Sequence, residues 1–233
     1  MVKLKRLSAP EFWKVPKKKM TWVVVPSPGP HKKFECIPLT IVVRDVLGLA
    51  EKGKEAKSII KKGDILVDGK PRKDPGYPAG LMDVISIPKM NKNYRIIPFA
   101  KGLKLVEISE NEAKKKILRI RNKRILRNKK IQLNFHDGKN LFVEKDVYKV
   151  GDSVLVELPS LKIIDHFKLE KGATGLILKG KNAGKLVKIV GIVVRRTHEP
   201  NKIVCETEGK NMEIIFDYLF VVGREAPAIK VSE

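Results

Sequence analysis

Short apolar runs broken by turn residues fill most of the chain, and helical spacing is confined to a few stretches. Ile41, Val42, Asp45, Val46 and Leu49 fit a short amphipathic helix with Arg44 on its polar side. After a turn at residues 51–53, Ala56, Ile59 and Ile60 recur at helical spacing beside Lys54, Lys57, Lys61 and Lys62, and Gly63 supplies a stop. Residues 64–67 then alternate as a strand, Asp68-Gly69 forms a hairpin turn pair, and residues 82–87 alternate again, predicting that they return to the same small sheet.

From about Tyr94 to Lys168 the pattern is mainly that of strands. Residues 131–135, 141–143 and 154–158 alternate or run apolar, with Lys129 and Lys130 read as a turn before the first. Asp137-Gly138 marks a hairpin and Gly151-Asp152 precedes the last of these strands. One helix is expected over residues 110–117, acidic at its start and basic at its end as the helix dipole prefers. Beyond Leu169, five glycines (172, 175, 180, 184 and 191) separate apolar runs, and residues 176–178, 186–194, 202–205 and 212–216 each predict a strand. That spacing suits a small barrel.

Residues 1–36 differ from everything after them. Prolines at 10, 16, 26, 28 and 30 disfavour continuous helix, and cations outnumber acids. Such a segment buries little alone and often orders only on nucleic acid, although Trp13 and Trp22 each need something to pack or stack on. The expected fold is therefore α+β, mostly β. It comprises an extended basic arm (1–36), a small helix–helix–strand module (37–92), a central β domain (93–168) and a C-terminal small barrel (169–233).

Charge narrows the function. Lys and Arg number 49 against 26 acids, a formal net charge of +23 in 233 residues. A compact chain with that excess repels itself unless a polyanion neutralises it, and nucleic acid is the first candidate. An anionic membrane is second, but the longest apolar runs, such as residues 22–25 or 41–43, fall far short of a span. The opening residues 1–10 are basic with no apolar stretch behind them, so no secretory signal is expected. Cys36 and Cys205 are far apart and lack Cys-x-x-Cys partners, which points to a reducing cytoplasm. Between Lys114 and Lys130 lie ten cations and no acid, whereas a merely solvated surface mixes signs.

Lys54-Glu55-Ala56, Ile60, Gly63, Ile65 and Val67-Asp68-Gly69-Lys70 match, in order and spacing, the alpha-L RNA-binding module. Met82-Asp83 stands where that module usually has Gly-Asp, a departure expected to touch a turn and not the RNA face. Gly180-Lys181-Asn182-Ala183-Gly184-Lys185 resembles the KOW loop of ribosomal and transcription-elongation proteins, with Val187 where a third glycine often stands. A phosphate-binding P-loop over Gly175, Gly180 and Lys181 is rejected: Asn182 replaces the magnesium-holding Ser/Thr, and Leu176-Ile177-Leu178 is strand-like. His31, His136, His166 and His198 show no metal-ligand spacing, and no acid, base and nucleophile group together.

Seven segments carry a wider resemblance. They are Leu4-Lys5-Arg6-Leu7-Ser8-Ala9-Pro10, Pro26-Ser27-Pro28-Gly29-Pro30-His31, Glu35-Cys36-Ile37-Pro38-Leu39 and Arg44-Asp45-Val46-Leu47-Gly48-Leu49-Ala50. Further along come Gly80-Leu81-Met82-Asp83-Val84-Ile85, Asn134 with His136-Asp137-Gly138, and Asp217-Tyr218-Leu219-Phe220-Val221-Val222-Gly223. Together the chain resembles the archaeal–eukaryotic type of small-subunit ribosomal protein four over nearly its whole length. The resemblance implies a structural constituent of the small subunit that is not an enzyme and binds folded small-subunit rRNA. Its partners would be that rRNA and neighbouring ribosomal proteins, with no membrane, small-molecule substrate, cofactor or metal. The expected RNA-binding cations are Lys3, Lys5, Arg6, Lys17, Lys18 and Lys19 on the arm and Arg44, Lys54, Lys57, Lys61, Lys70 and Arg72 on the module. Lys114, Lys115, Arg119, Arg121, Lys123, Arg124 and Arg127 follow on the central run, and Lys181 and Lys185 on the glycine loop. An RNA-modifying enzyme and a transcription-elongation factor are the competing classes; the distinctive arm favours the ribosome.

Overall fold

The computed structural model describes residues 4–18, 20–100, 102–127, 130–193, 199–207 and 209–231. Contacts divide the chain into two compact units, Met1–Ile97 with Lys101–Lys114, and Pro98–Ala100 with Lys115–Glu233.

The first unit opens with β1 (Leu4–Lys5) and β2 (Trp22–Val23), antiparallel, with Leu4 opposite Val23 and Lys5 opposite Trp22. Next come β3 (Cys36–Pro38) and α1 (Leu39–Ile41), which runs directly into a π-helical turn over Val42–Val46. The expected first helix is thus present but wider than an α-helix over most of its length. Then follow α2 (Gly53–Lys62), β4 (Leu66–Val67), β5 (Lys70–Pro71), β6 (Pro78–Gly80), β7 (Val84–Ile87), β8 (Lys92–Phe99), β9 (Gly102–Ile108) and α3 (Glu110–Ala113). β3 pairs with β6, and a five-stranded sheet runs β5-β4-β7-β8-β9.

Local chemistry explains the module. The Glu55 carboxylate accepts from the Glu51 and Lys52 amides at 3.2 and 3.1 Å, satisfying donors that the start of α2 leaves free. Ala56 and Ile60 face the core, and Gly63 ends the helix at φ 84°. Asp68 and Gly69 both take positive φ (51° and 73°), as a tight hairpin between β4 and β5 requires. Met82 also sits at positive φ (63°), the conformation that explains a usual glycine there.

The arm does not behave as an unpacked extension. Trp13 is fully buried and its indole N–H donates to the Cys36 carbonyl at 2.8 Å. Ala9, Val15 and Val23 join it in one core with Ile37, Leu39, Val42 and Ile60. The proline-rich stretch is seated on β6 and its approach. A Cβ on Gly80 would lie 2.3 Å from the His31 ring, and the Asp83 carboxylate holds both the His31 Nε2 (3.1 Å) and the Gly80 amide (2.9 Å).

The second unit carries β10 (Lys115–Ile125), β11 (Ile131–Phe135), β12 (Asn140–Val143), β13 (Ser153–Glu157) and β14 (Ile163–Phe167), in sheet order β12-β11-β10-β13-β14. Leu118, Ile120, Leu133, Phe135, Val154 and Val156 form its core. A second antiparallel sheet joins β15 (Thr174–Ile177), β16 (Leu186–Val193), β17 (Lys202–Thr207), β18 (Lys210–Ile215) and β19 (Leu219–Gly223) in the order β18-β17-β16-β15-β19. The fold is mostly β, as expected.

Two expectations are corrected. The helix expected over residues 110–117 stops at Ala113, and Lys115 onward is strand: Lys116, Ile117 and Leu118 pair with Val156, Leu155 and Val154 of β13. Burial of that apolar ladder outweighs the helix preference of Ala and Lys. In addition, β8 and β9 bond into the first unit's sheet, so a boundary between residues 92 and 93 falls inside β8 and not at the edge of a sheet. Lys129, half of an expected turn, lies outside the described residues. Among the described residues, no helix is long and apolar enough to cross a membrane.

Candidate nucleic-acid interface

With Ala56 and Ile60 turned inward, helical geometry sends Lys54, Lys57 and Lys61 to the opposite, exposed side of α2. They line a shallow groove with Ser58 and Lys62. Lys70, on the exposed side of the Asp68-Gly69 hairpin, reaches solvent, while the Arg72 guanidinium lies 4.7 Å over the Tyr77 ring. Arg44 is bound locally: its Nη2 and Nε donate to the Asp45 carboxylate at 2.6 and 3.1 Å, with both side chains largely covered. On the arm, Lys5, Lys17 and Lys18 are exposed. Arg6 is buried and donates to the Pro16 carbonyl at 2.8 Å, so it braces the arm and presents no open cation. Lys3 and Lys19 lie outside the described residues.

The unmixed basic run maps onto β10, and strand alternation divides it. Lys116 is fully buried, with its ammonium 3.1 Å from Asp137 Oδ2, an oxygen that Lys139 approaches at the same distance. Arg119 donates to the carbonyls of Asp217 and Phe216 at 2.9 and 3.2 Å. Burial pushes its pKa down, partly offset by Asp217. Arg119 is therefore corrected from a surface cation to a brace between β10 and the turn before β19. Lys123 is paired with Asp146, and Lys114 with Glu110 at 3.2 Å. Lys115, Arg121, Arg124 and Arg127 reach solvent.

The glycine loop joins two strands, β15 and β16, and leads into no helix, which excludes the strand–loop–helix frame of a P-loop. Gly180 and Gly184 take positive φ (94° and 88°), and Lys181 and Lys185 are exposed on either side.

The remaining reactive groups are structural. Cys36 is buried and its thiol is pushed up to about 12, first by burial and then by the nearby Asp83 and Glu35; burial pushes Cys205 up to about 11. Neither is a thiolate near neutrality. His166 Nε2 pairs with Asp152 at 2.8 Å, and His136 Nδ1 accepts the Arg119 amide while its ring meets Phe220 edge-on. His198 lies outside the described residues. Lys116 and Asp137 form a buried pair that no local sequence signal announces.

Two β-rich units with exposed cations on a helix face, a hairpin and a glycine loop define a modular protein of basic surface suited to a polyanion. The chain belongs to the ribosomal family S4e. That family description matches residues 90–163, the S4 domain matches residues 38–85, and the RS4NT (NUC023) domain matches residues 2–34. The chain is 45% identical to small ribosomal subunit protein eS4 of Archaeoglobus fulgidus, over 95% of this chain and 93% of that one. It is 43% identical to the protein of the same name in Methanosphaera stadtmanae, over 98% and 95%. The crystal structure of 30S ribosomal protein S4e from Thermoplasma acidophilum superposes with a TM-score of 0.72 at 27% identity, covering 85% of this chain and 99% of that one.

Proposed function

We propose that this chain is a structural constituent of the small ribosomal subunit, acting by binding and stabilising folded small-subunit rRNA and not by catalysis. The observation that carries this is the exposed Lys54–Lys57–Lys61 face of α2 beside the Asp68-Gly69 hairpin, set in a chain akin to small-subunit proteins over nearly its full length. Its place is the ribosome in the cytoplasm, beside neighbouring small-subunit proteins.

The mechanism is electrostatic and geometric. Lys5, Lys17 and Lys18 on the arm, Lys54, Lys57, Lys61, Lys70 and Arg72 on the module, and Lys181 and Lys185 on the glycine loop contact phosphates and release counterions. Lys115, Arg121 and Arg124 on β10, with Lys114 before it and Arg127 after it, supply further phosphate contacts. A-form helices hide their base edges in a deep groove, so the fold of the RNA supplies most of the discrimination.

Filter binding of the full chain to refolded small-subunit rRNA across a salt series tests this. Replacing Lys54, Lys57 and Lys61 together by Ala weakens binding and reduces the log–log salt slope by about 2–3. An unchanged slope with unchanged affinity would remove α2 from the interface.

A further inference from the structure

The β10–β11–β12 part of the central sheet has an outer face that phosphate binding does not explain. Register places Asn122 opposite Asn134 and Asn134 opposite Asn140. It also places Arg124 opposite Gln132 and Gln132 opposite Phe142. Residues directly opposite share a face, so these six side chains form two rows on one side. The other side carries Leu133 opposite Leu141 and Ile131 opposite Val143, which pack in the core. The register shift between Ile120 and Asn122 sets this arrangement: Ile120 still meets Phe135, and Arg121 is the additional residue that reverses parity.

The outer face is costly for a strand surface whose sole task is to meet water. Asn is depleted from strands, yet Asn or Gln fills four of the six positions, and no acid is among them. Phe142, on the edge strand, is 65% exposed. The side chains of Arg124, Gln132 and Asn140 make no hydrogen bond or ion pair among the described residues; Asn122 Oδ1 accepts the Lys123 amide at 2.8 Å, and Asn134 Oδ1 is buried beneath the row. A protein-docking face would centre on apolar groups. Here amides dominate, with exposed Arg121, Arg127 and Lys130 along the same hairpin.

We propose that this face reads unpaired nucleobases. The Phe142 ring and the Arg124 guanidinium offer flat surfaces on which bases stack, and the Gln132 and Asn140 amides match the donor–acceptor pairs of base edges. The flanking cations hold the adjoining phosphates. This rests on the RNA-binding function proposed above and adds base contact to a surface otherwise read as phosphate contact.

The test uses the full chain with three probes: a mixed-sequence single-stranded RNA, an abasic ribose–phosphate strand of the same length, and an RNA duplex. The parent chain binds the single strand more tightly than the abasic strand. Phe142→Ala weakens single-strand binding about tenfold while abasic and duplex affinities and the salt slope stay as they were. Asn140→Ala and Gln132→Ala weaken it in the same pattern, and as exposed or half-buried positions they keep the parent's circular dichroism and melting. Equal binding of the abasic and natural strands by the parent, or single-strand binding by Phe142→Ala at the parent's level, would overturn the proposal alone. Failure of the parent to bind any of the three would overturn it together with the RNA-binding function.

Discussion

Lys116 and Asp137 show what a single position contributes once its surroundings are fixed. Both side chains are withdrawn from water, and the ammonium and carboxylate, 3.1 Å apart, each offset part of the other's lost hydration. Asp137→Ala removes a counter-charge beside a buried ammonium and is expected to destabilise the second unit by about 3–5 kcal/mol, read by chemical denaturation. A loss below about 1 kcal/mol would show a pair screened like a surface one. Asp137 was legible as a turn residue because Asp-Gly is a local signal, and its carboxylate accepts the Lys139 amide at 3.1 Å as that role requires. The partnership with Lys116 was not legible, since it depends on which side of a strand position 116 faces. Cys36 and Cys205 are both buried, and their raised thiol pKa values follow chiefly from that burial.

Among elements, α2 and the hairpin after it were the clearest in the sequence. Helical spacing, Gly63 and Asp68-Gly69 are all short-range features, and the structure places each as they require. β10 was misread at its start because Ala113 and Lys114–Lys116 favour helix locally, while the pairing with β13 that decides the matter is remote. β8 pairs with its neighbour β7 in the first unit's sheet, Ile87 opposite Lys92 through Val84 opposite Arg95, so a boundary at residue 92 cuts a local hairpin. The arm is the sharpest case: composition predicted little burial, yet Trp13 reaches the Cys36 carbonyl from 23 residues away. The arm therefore counts as part of the first unit's core. Trp13→Ala is expected to cost about 3–5 kcal/mol in the melting of that unit. A loss within about 0.5 kcal/mol, as for an ordinary surface site, would mean the arm is not integral. Trp22, half-exposed on β2 opposite Lys5, carries no such burden.

Across the whole molecule, a net charge of +23 is the quantity that most constrains behaviour. Internal pairing of Arg6, Arg44, Lys116 and Arg119 removes a few cations from the surface, but exposed Lys and Arg persist on both units. The polyanion partner was legible from composition, and the family from seven short segments. The division between bracing and exposed cations was not, because charge alone does not say which way a side chain points. Sedimentation of a cell lysate through sucrose gradients at moderate and high salt, with the chain detected in each fraction, tests the central claim most directly. Co-migration with small subunits is expected to survive moderate salt and to be lost only under stringent salt. A chain found in the soluble fractions at moderate salt, or following RNA polymerase, would contradict it.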